Sequence, residues 1–482
     1  MEMTVIEVPL DLKPAIEKLV ESCLRALQQV KRNRRFDMVA VEGELQASAR
    51  RCEKAALQQV VCAADVDAPR IRVEGKTLFR VGRFETTYHS AAGPFAVTRS
   101  LYREERNGPT FDPVSAKLGL VRGRWLPGAA SQMAYLLAQG TSRDAQETAR
   151  QLGRLPDSRS SFERVGHEVG AMYVSRHAEV DQELIESFIL PDAAAGVVVS
   201  LDRVSVPLEE PLPGARSPRT RTRRNDAKSS SSRKRRKKKP PAVARNFRMA
   251  YCGTVTIVDE SGDALHSIRY GRMPQETALD LAEGMASDVF ALRDQAAAQG
   301  RTLDVTLVQD GAPELWNVLD EQLNTQTLGE APYRLIDLFH LLEKLGEAAK
   351  SLHGDTGFKP VLRGWKTRLL NAKTASTMIL AELERSGDTS TPVHDAMTYL
   401  RNNADRMDYA TARRHGRPLG SGNVEATCKS LVSLRMKRPG SRWKQDTGEH
   451  IIQLRALSLS DRWDAALQLT LRPLQRVVRR AA

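Results

Sequence analysis

The chain has 482 residues, more than one ordinary core needs, and at roughly 150 residues per domain it has room for about three units. Charged residues make up 27% and hydrophobic ones 41%, the balance of a globular protein, which excludes a chain disordered throughout. A formal charge of +14 and a pI of about 9.7 attract polyanions, so nucleic acid is the expected partner.

Cys23, Cys52, Cys62, Cys252 and Cys428 stand far apart, odd in number and without a CxxC pair, which excludes a disulfide framework and a cysteine zinc site. The start, Met1-Glu2-Met3-Thr4, lacks the basic-then-apolar order of a secretory leader. The longest apolar run, Ala193 to Leu201, is too short to span a bilayer. A cytoplasmic protein that meets DNA directly, with no membrane partner, is expected.

From Lys13 to Ala64, Ile16, Leu19, Val20, Cys23, Leu24 and Leu27 recur at three and four residues, predicting a helical hairpin or short coiled coil within 1–70. Between 71 and 125 the pattern turns to alternation (Val73, Leu78, Phe79, Val81, Phe84) broken by Gly75, Gly82 and Gly93-Pro94, a small β-meander. Helical spacing returns over 126–190, in Ala129–Ala138, Ser142–Leu152 and Ser160–Ser187, with Ser142 and Ser158 as expected N-caps. The pair Ser142–Leu152 and Ser160–Gly170 has the outline of a helix-turn-helix whose second member would read DNA.

The section 191–446 has a different grammar. Strands are expected at Gly196–Val206, Ala250–Val258, Ala264–Tyr270, Leu303–Val308 and Tyr333–Ile336, and helices at Gln275–Gln299, Ala312–Leu323 and Leu338–Leu352. Three strands, helix, strand, helix, strand, helix is the order of a mixed α/β ribonuclease-H-like catalytic domain. A segment over 208–245 interrupts it, rich in Pro, Ser, Arg and Lys and expected to be disordered in isolation. An all-helical insertion over 356–415 precedes the last helix, Asn423–Met436, and a helical tail over 447–482 closes the chain.

Three carboxylates fall where such a fold brings them together. Asp202 lies inside the first strand, where an ionised acid is costly to bury without a cation or donor. Asp310 ends the fourth strand before Gly311, and Glu425 sits in the first turn of the last helix. Converging acids repel one another unless two divalent cations share them, and oxygen ligands select Mg²⁺ or Mn²⁺. Two such ions roughly 3.5–4 Å apart can activate a water or a 3′-hydroxyl and stabilise the leaving oxygen of a phosphodiester. Each acid also has an ordinary reading: a strand acid, a turn, and a charge near a helix N-terminus.

The segments Ser200-Leu201-Asp202, Gln309-Asp310-Gly311-Ala312, Leu335-Ile336-Asp337-Leu338-Phe339-His340, Gly420-Ser421-Gly422-Asn423-Val424-Glu425 and Gly440-Ser441-Arg442-Trp443 resemble bacterial insertion-sequence transposases of the DDE type, in particular the Kra group. The resemblance runs from about Ala40 to the end. It implies a ribonuclease-H-like catalytic domain, Asp202, Asp310 and Glu425 as ligands of two metal ions, and terminal inverted repeats as substrate. Relatives often carry a cysteine pair after the β-meander; Tyr102-Arg103-Glu104-Glu105-Arg106 has none, so no structural zinc is carried over.

In the resembling family an Asp-aromatic-His segment lies beside the active site, which makes His340 a candidate to contact phosphate or protonate the leaving oxygen; its alternative is a packing role, as for Asp337. The run Arg233, Lys234, Arg235, Arg236, Lys237, Lys238 and Lys239 can track phosphates without reading sequence, or serve as a solvated tether. Arg442 and Trp443 can hold phosphate and stack on an unpaired base, although Trp443 also suits a core. Gly420-Ser421-Gly422 lacks the ending of a nucleotide loop, so no nucleotide cofactor is expected.

The reading is thus a bacterial, nucleoid-associated transposase that cuts and joins DNA at inverted repeats and a target. Pairing two ends requires a homodimer or larger assembly on DNA. The alternatives are a non-catalytic DNA-binding descendant and a ribonuclease-H-like nuclease or resolvase.

Overall fold

The computed structural model describes residues 7–32, 37–212 and 243–481. They divide into two compact units, one formed by the chain up to Leu184 together with Gln453 onward, the other by Ile185–Ile452. Among the described residues no helix is long and apolar enough to cross a membrane.

The first unit opens with α1 (Lys13–Arg32) and α2 (Met38–Ala64). The apolar stripe that predicts α1 is only half covered: Ile16, Leu19 and Leu24 are partly buried, while Val20 and Leu27 stay exposed. Strands β1 (Arg70–Val73), β2 (Lys76–Ser90) and β3 (Gly93–Arg103) follow as an antiparallel meander. Their alternation puts Ile71, Val73, Tyr88, Phe95 and Val97 inside, each side chain contributing roughly 1.5–3 kcal/mol when fully buried.

After α3 (Pro113–Leu118) come α4 (Pro127–Gln139), α5 (Ser142–Gln151), α6 (Arg159–Val174) and α7 (His177–Glu186). The cap of α5 is Thr141, not Ser142: Thr141 and Asp144 exchange side-chain and backbone bonds in a capping box, which Ser142 lacks the spacing to make. Ser158 caps α6 as expected. Gly166 lets α6 approach α4, since a Cβ there would lie 2.6 Å from Leu137 Cδ2. With Phe162, Val165, Val169 and Tyr173 buried, α6 presents Arg159, Ser160, Glu163 and Arg164 outward, a face of mixed charge.

In the second unit β4 (Gly196–Pro211), β5 (Val243–Val258) and β6 (Ala264–Arg272) form an antiparallel ribbon, and β7 (Asp304–Gln309) and β8 (Tyr333–Ile336) extend it in parallel. The strand order is β6-β5-β4-β7-β8, a mixed α/β sheet. Helix α8 (Leu279–Ala298) lies against the ribbon; Gly253 makes room, because a Cβ there would meet Leu281 Cδ2 at 2.8 Å. Between β7 and β8 run α9 (Pro313–Gln322) and α10 (Thr325–Leu328).

Two boundaries differ from expectation. The segment 208–245 is not all loop: β4 and β5 pair without interruption from Gly196 opposite Val258 to Pro211 opposite Val243. Cross-strand bonds such as Arg248 Nε to Glu210 Oε1, 2.7 Å, hold polar residues that composition alone assigns to a tether. The basic run Arg233–Lys239 lies outside the described residues.

Helix α11 (Leu338–Asn371) also outruns Leu352, with a break at Gly354 (φ 68°) that marks entry into the helical insertion. There α12 (Ala375–Ser386), α13 (Thr391–Asn402) and α14 (Tyr409–Arg414) pack Trp365, Ile379, Val393 and Leu400 inward. The last helix begins as α15 (Gly422–Thr427), passes through a π-turn at Cys428–Ser433 and ends as α16 (Leu434–Met436). The chain returns to the first unit within α17 (Gln445–Leu459) and closes with α18 (Trp463–Leu471) and β9 (Val478–Arg480). The expected helical tail is therefore part of the first unit from Gln453 onward: β9 pairs with β1, and Trp463 Nε1 donates to Ser131 Oγ at 3.1 Å.

Candidate active site

Two parallel strands deliver the aspartates. Gly196 lies beside Asp304 and Val199 beside Leu307; continued by three residues, that register sets Asp202 next to Asp310. Burial raises the Asp310 carboxyl above its ordinary range, and the Asp202 charge adds to the rise against the Ala312 amide, which donates to Asp310 Oδ1 at 2.9 Å. Asp202 is half-buried; its Oδ1 accepts from the Arg203 amide at 2.6 Å and its Oδ2 from the Cys428 thiol at 3.3 Å.

Glu425 lies three residues before Cys428, hence on the same helical face, and so is carried to the rim that Asp202 occupies. Its side chain is half exposed, with Oε1 3.8 Å from His340 Nδ1. His340 Nδ1 is also 3.8 Å from Asp337 Oδ1; both are ion-pair distances, too long for hydrogen bonds. Interaction with Asp337, assisted by Glu425 and Asp310, pushes the imidazole up to about 9 against its partial burial. Near neutral pH this ring is a cation among acids.

Among the described residues, the potential ligands that all lie within 4.8 Å of one another are Asp337, His340 and Glu425; Asp202 and Asp310 are outside that tight set. Asp337 is poorly suited to bind an ion. Its Oδ1 accepts from the Phe339 and His340 amides, at 2.6 and 3.1 Å, capping α11. Its Oδ2 accepts from the Ser421 amide and from Ser421 Oγ, the latter at 2.6 Å. Although burial opposes ionisation, His340 and Ser421 hold this carboxyl well below the usual range. It stitches the Gly420–Ser421 loop to the start of α11, and Gly420 has no room for a Cβ, which would lie 2.8 Å from the Phe339 ring.

No protein-family model and no curated protein matches this sequence. Among solved structures the chain is similar to one from the Drosophila P element transposase strand transfer complex, with 13% identity over 72% of this chain and 83% of that one, and a TM-score of 0.24. At that score the likeness is too loose to carry a fold or a function.

Beyond the acids, Arg442 is exposed, whereas Trp443 is half-buried and engaged. Its Nε1 donates to Met436 O at 3.0 Å, its backbone exchanges bonds with Pro207 and Glu209 of β4, and the Arg435 guanidinium lies 4.9 Å from its ring centroid. One ring face is thus already covered.

Two neighbours of the acids escape sequence reasoning. Cys428 has a weak signal, its spacing of three from Glu425 on a helix. Tyr399 has none, because only folding brings its ring onto Gly311.

Proposed function

We propose that this chain is a metal-dependent DNA transposase, in which Asp202, Asp310 and Glu425 form the catalytic centre of a ribonuclease-H-like domain. The observation that carries the reading is the meeting of two aspartates, Asp202 within β4 and Asp310 just past the end of β7, with the helix of Glu425 joined to Asp202 through Cys428. The strand order β6-β5-β4-β7-β8, three antiparallel and two parallel, supports the fold assignment.

The donor set suits a hard divalent cation: all three side chains offer oxygen, and Asp310 bears the like-charge penalty that a cation relieves. Asp202, Asp310 and Glu425 would hold Mg²⁺ or Mn²⁺, two ions supplying activation of the attacking oxygen and stabilisation of the leaving one. Around them the protein's own groups orient and neutralise. The Arg203 amide and the Cys428 thiol fix one oxygen each of Asp202. His340, cationic near neutral pH, serves to contact a phosphate oxygen or to pass its proton to a leaving 3′-oxygen.

Arg442 and the run Arg233–Lys239 would neutralise backbone phosphates, which positions DNA without reading its sequence. Trp443 would stack on an unpaired base beside the cleavage site. Terminal inverted repeats and a target duplex are the substrates, and two paired ends call for at least a dimer.

The test is a strand-transfer assay with full-length protein and Mg²⁺. Joined products from the wild type, lost in Asp202→Ala, Asp310→Ala and Glu425→Ala, support the reading; wild-type activity in all three variants refutes it. Cut products without joining would make the protein a nuclease or resolvase, and binding without cutting a non-catalytic descendant.

A further inference from the structure

We infer that Tyr399, a residue of the helical insertion, is a positioning residue for Asp310. Its consequence for catalysis rests on the function proposed above; its structural content does not.

Asp310 closes β7 in a tight turn. One carboxylate oxygen accepts from the Ala312 amide at 2.9 Å, and the backbone carbonyl accepts from Trp316 Nε1 at 2.7 Å. The next residue, Gly311, has a normal backbone, so freedom of φ does not explain a glycine here. Space does: a Cβ at 311 would lie 2.5 Å from Tyr399 Cε2 and 3.0 Å from its Cζ. No real Cβ contact is that short, and the obstacle is a rigid ring rather than the tip of a flexible chain.

The ring comes from α13, in the insertion and not in the sheet. Its buried hydroxyl lies against the Gly311 backbone and close to the Asp310 carboxyl, so Tyr399 meets the turn with both its ring and its polar edge. The insertion reaches the same turn a second time through Arg406, whose guanidinium lies 4.6 Å from the centroid of Trp316. Between these two contacts is a cavity of about 310 Å³ lined by Gly311, Trp316, Tyr399 and Arg406. Without the ring, the turn has room to relax into that cavity and carry Asp310 out of line with Asp202. A misplacement of about 1 Å in such a centre costs on the order of 100-fold in rate.

The experiment compares full-length wild type with Tyr399→Phe, Tyr399→Ala, Gly311→Ala and the Gly311→Ala/Tyr399→Ala double variant. Two readouts are taken: amide hydrogen exchange across the 310–312 turn, and the Mg²⁺ concentration giving half-maximal nicking of supercoiled plasmid. Tyr399→Phe, which keeps the ring and loses only the hydroxyl, shifts both by clearly less than Tyr399→Ala. Tyr399→Ala speeds exchange by about tenfold or more and raises the half-saturating Mg²⁺ concentration by about tenfold. Gly311→Ala does the same by pushing the ring away, and the double variant is no worse than Tyr399→Ala alone, the non-additivity of two residues sharing one contact.

Unchanged exchange in both single alanine variants, or fully additive effects in the double, overturns the inference. Should Tyr399→Ala fail to fold, Gly311→Ala against Tyr399→Phe decides it. Wild-type protein that nicks nothing at any Mg²⁺ concentration counts against the proposed function, and the exchange data still judge the positioning role.

Discussion

Asp310 and Asp337 sit at the ends of neighbouring parallel strands, yet their surroundings are opposite. Asp337 accepts four hydrogen bonds from its own protein, and its carboxyl is held low. The Asp310 carboxylate accepts one, from the Ala312 amide, faces the charge of Asp202, and is pushed up. An acid whose lone pairs are already occupied holds a fold together; one left with open lone pairs beside another acid is set up to take a cation. The same distinction demotes the tight Asp337, His340 and Glu425 group as a metal site and favours the looser triad.

The largest expected effect that sharpens this contrast is on activity. Replacing Asp310 or Asp202 by alanine reduces metal-dependent DNA cleavage to background, while thermal unfolding shows the fold unharmed or slightly stabilised. The sign follows from the raised Asp310 pKa: such a group weakens the native state at neutral pH, and that penalty disappears as pH falls through its folded value. A marked drop in melting temperature for Asp310→Ala would show that Asp310 holds the fold together as Asp337 does.

Asp337→Ala behaves conversely. Removing the buried acceptor strands the Ser421 hydroxyl and three amides, a loss of roughly 3–5 kcal/mol by analogy with breaking a buried pair, read by denaturant unfolding. Because its folded pKa is depressed, the stabilisation from Asp337 is fully present above the ordinary carboxylate range and fades as pH drops through the folded value. An acid titration in which wild type and Asp337→Ala lose stability in parallel contradicts this.

The third effect is a titration. In metal-free protein the His340 ring protonates with a midpoint of about 9. Its contribution to stability is complete below about pH 6.5, the unfolded value, and is lost as pH rises through the folded one. In Asp337→Asn the midpoint moves down toward the ordinary histidine value. Proton NMR of the ring checks both, and a midpoint indifferent to Asp337 removes the pairing.

Smallest is Cys428. Losing a thiol donor to Asp202 in Cys428→Ala costs about 0.5 kcal/mol, the low end for a hydrogen bond, and Cys428→Ser restores it. Equal unfolding curves for the serine and alanine variants would assign the thiol to packing.

Much of this arrangement was legible in the residues. The apolar run Val197–Val199 announces a buried strand, Asp202 is conspicuous because it interrupts such a run, and Asp310-Gly311 marks a strand end. The helix bearing Glu425 is expected at Asn423–Met436 as the last helix of such a fold.

What stays hidden depends on contacts between distant segments. Residues 208–211 and 243–245 carry loop-like composition yet form a ladder, because backbone bonding is indifferent to side-chain polarity. The pairing of β9 with β1 joins segments far apart in the sequence, which no local pattern can signal. Asp337 stands in sequence only as a neighbour of His340, and the position of Ser421 reveals its saturated shell. Trp443 suits base stacking or a core in sequence, and only folding reveals that Arg435 lies over its ring.

The most direct measurement is a calorimetric titration of Mn²⁺ into DNA-free wild type, Asp310→Ala and Asp337→Asn. Saturable binding to wild type, largely abolished in Asp310→Ala and retained in Asp337→Asn, is the predicted result. Binding that survives in Asp310→Ala and disappears in Asp337→Asn would move the cation to the other acid and contradict the catalytic centre described above.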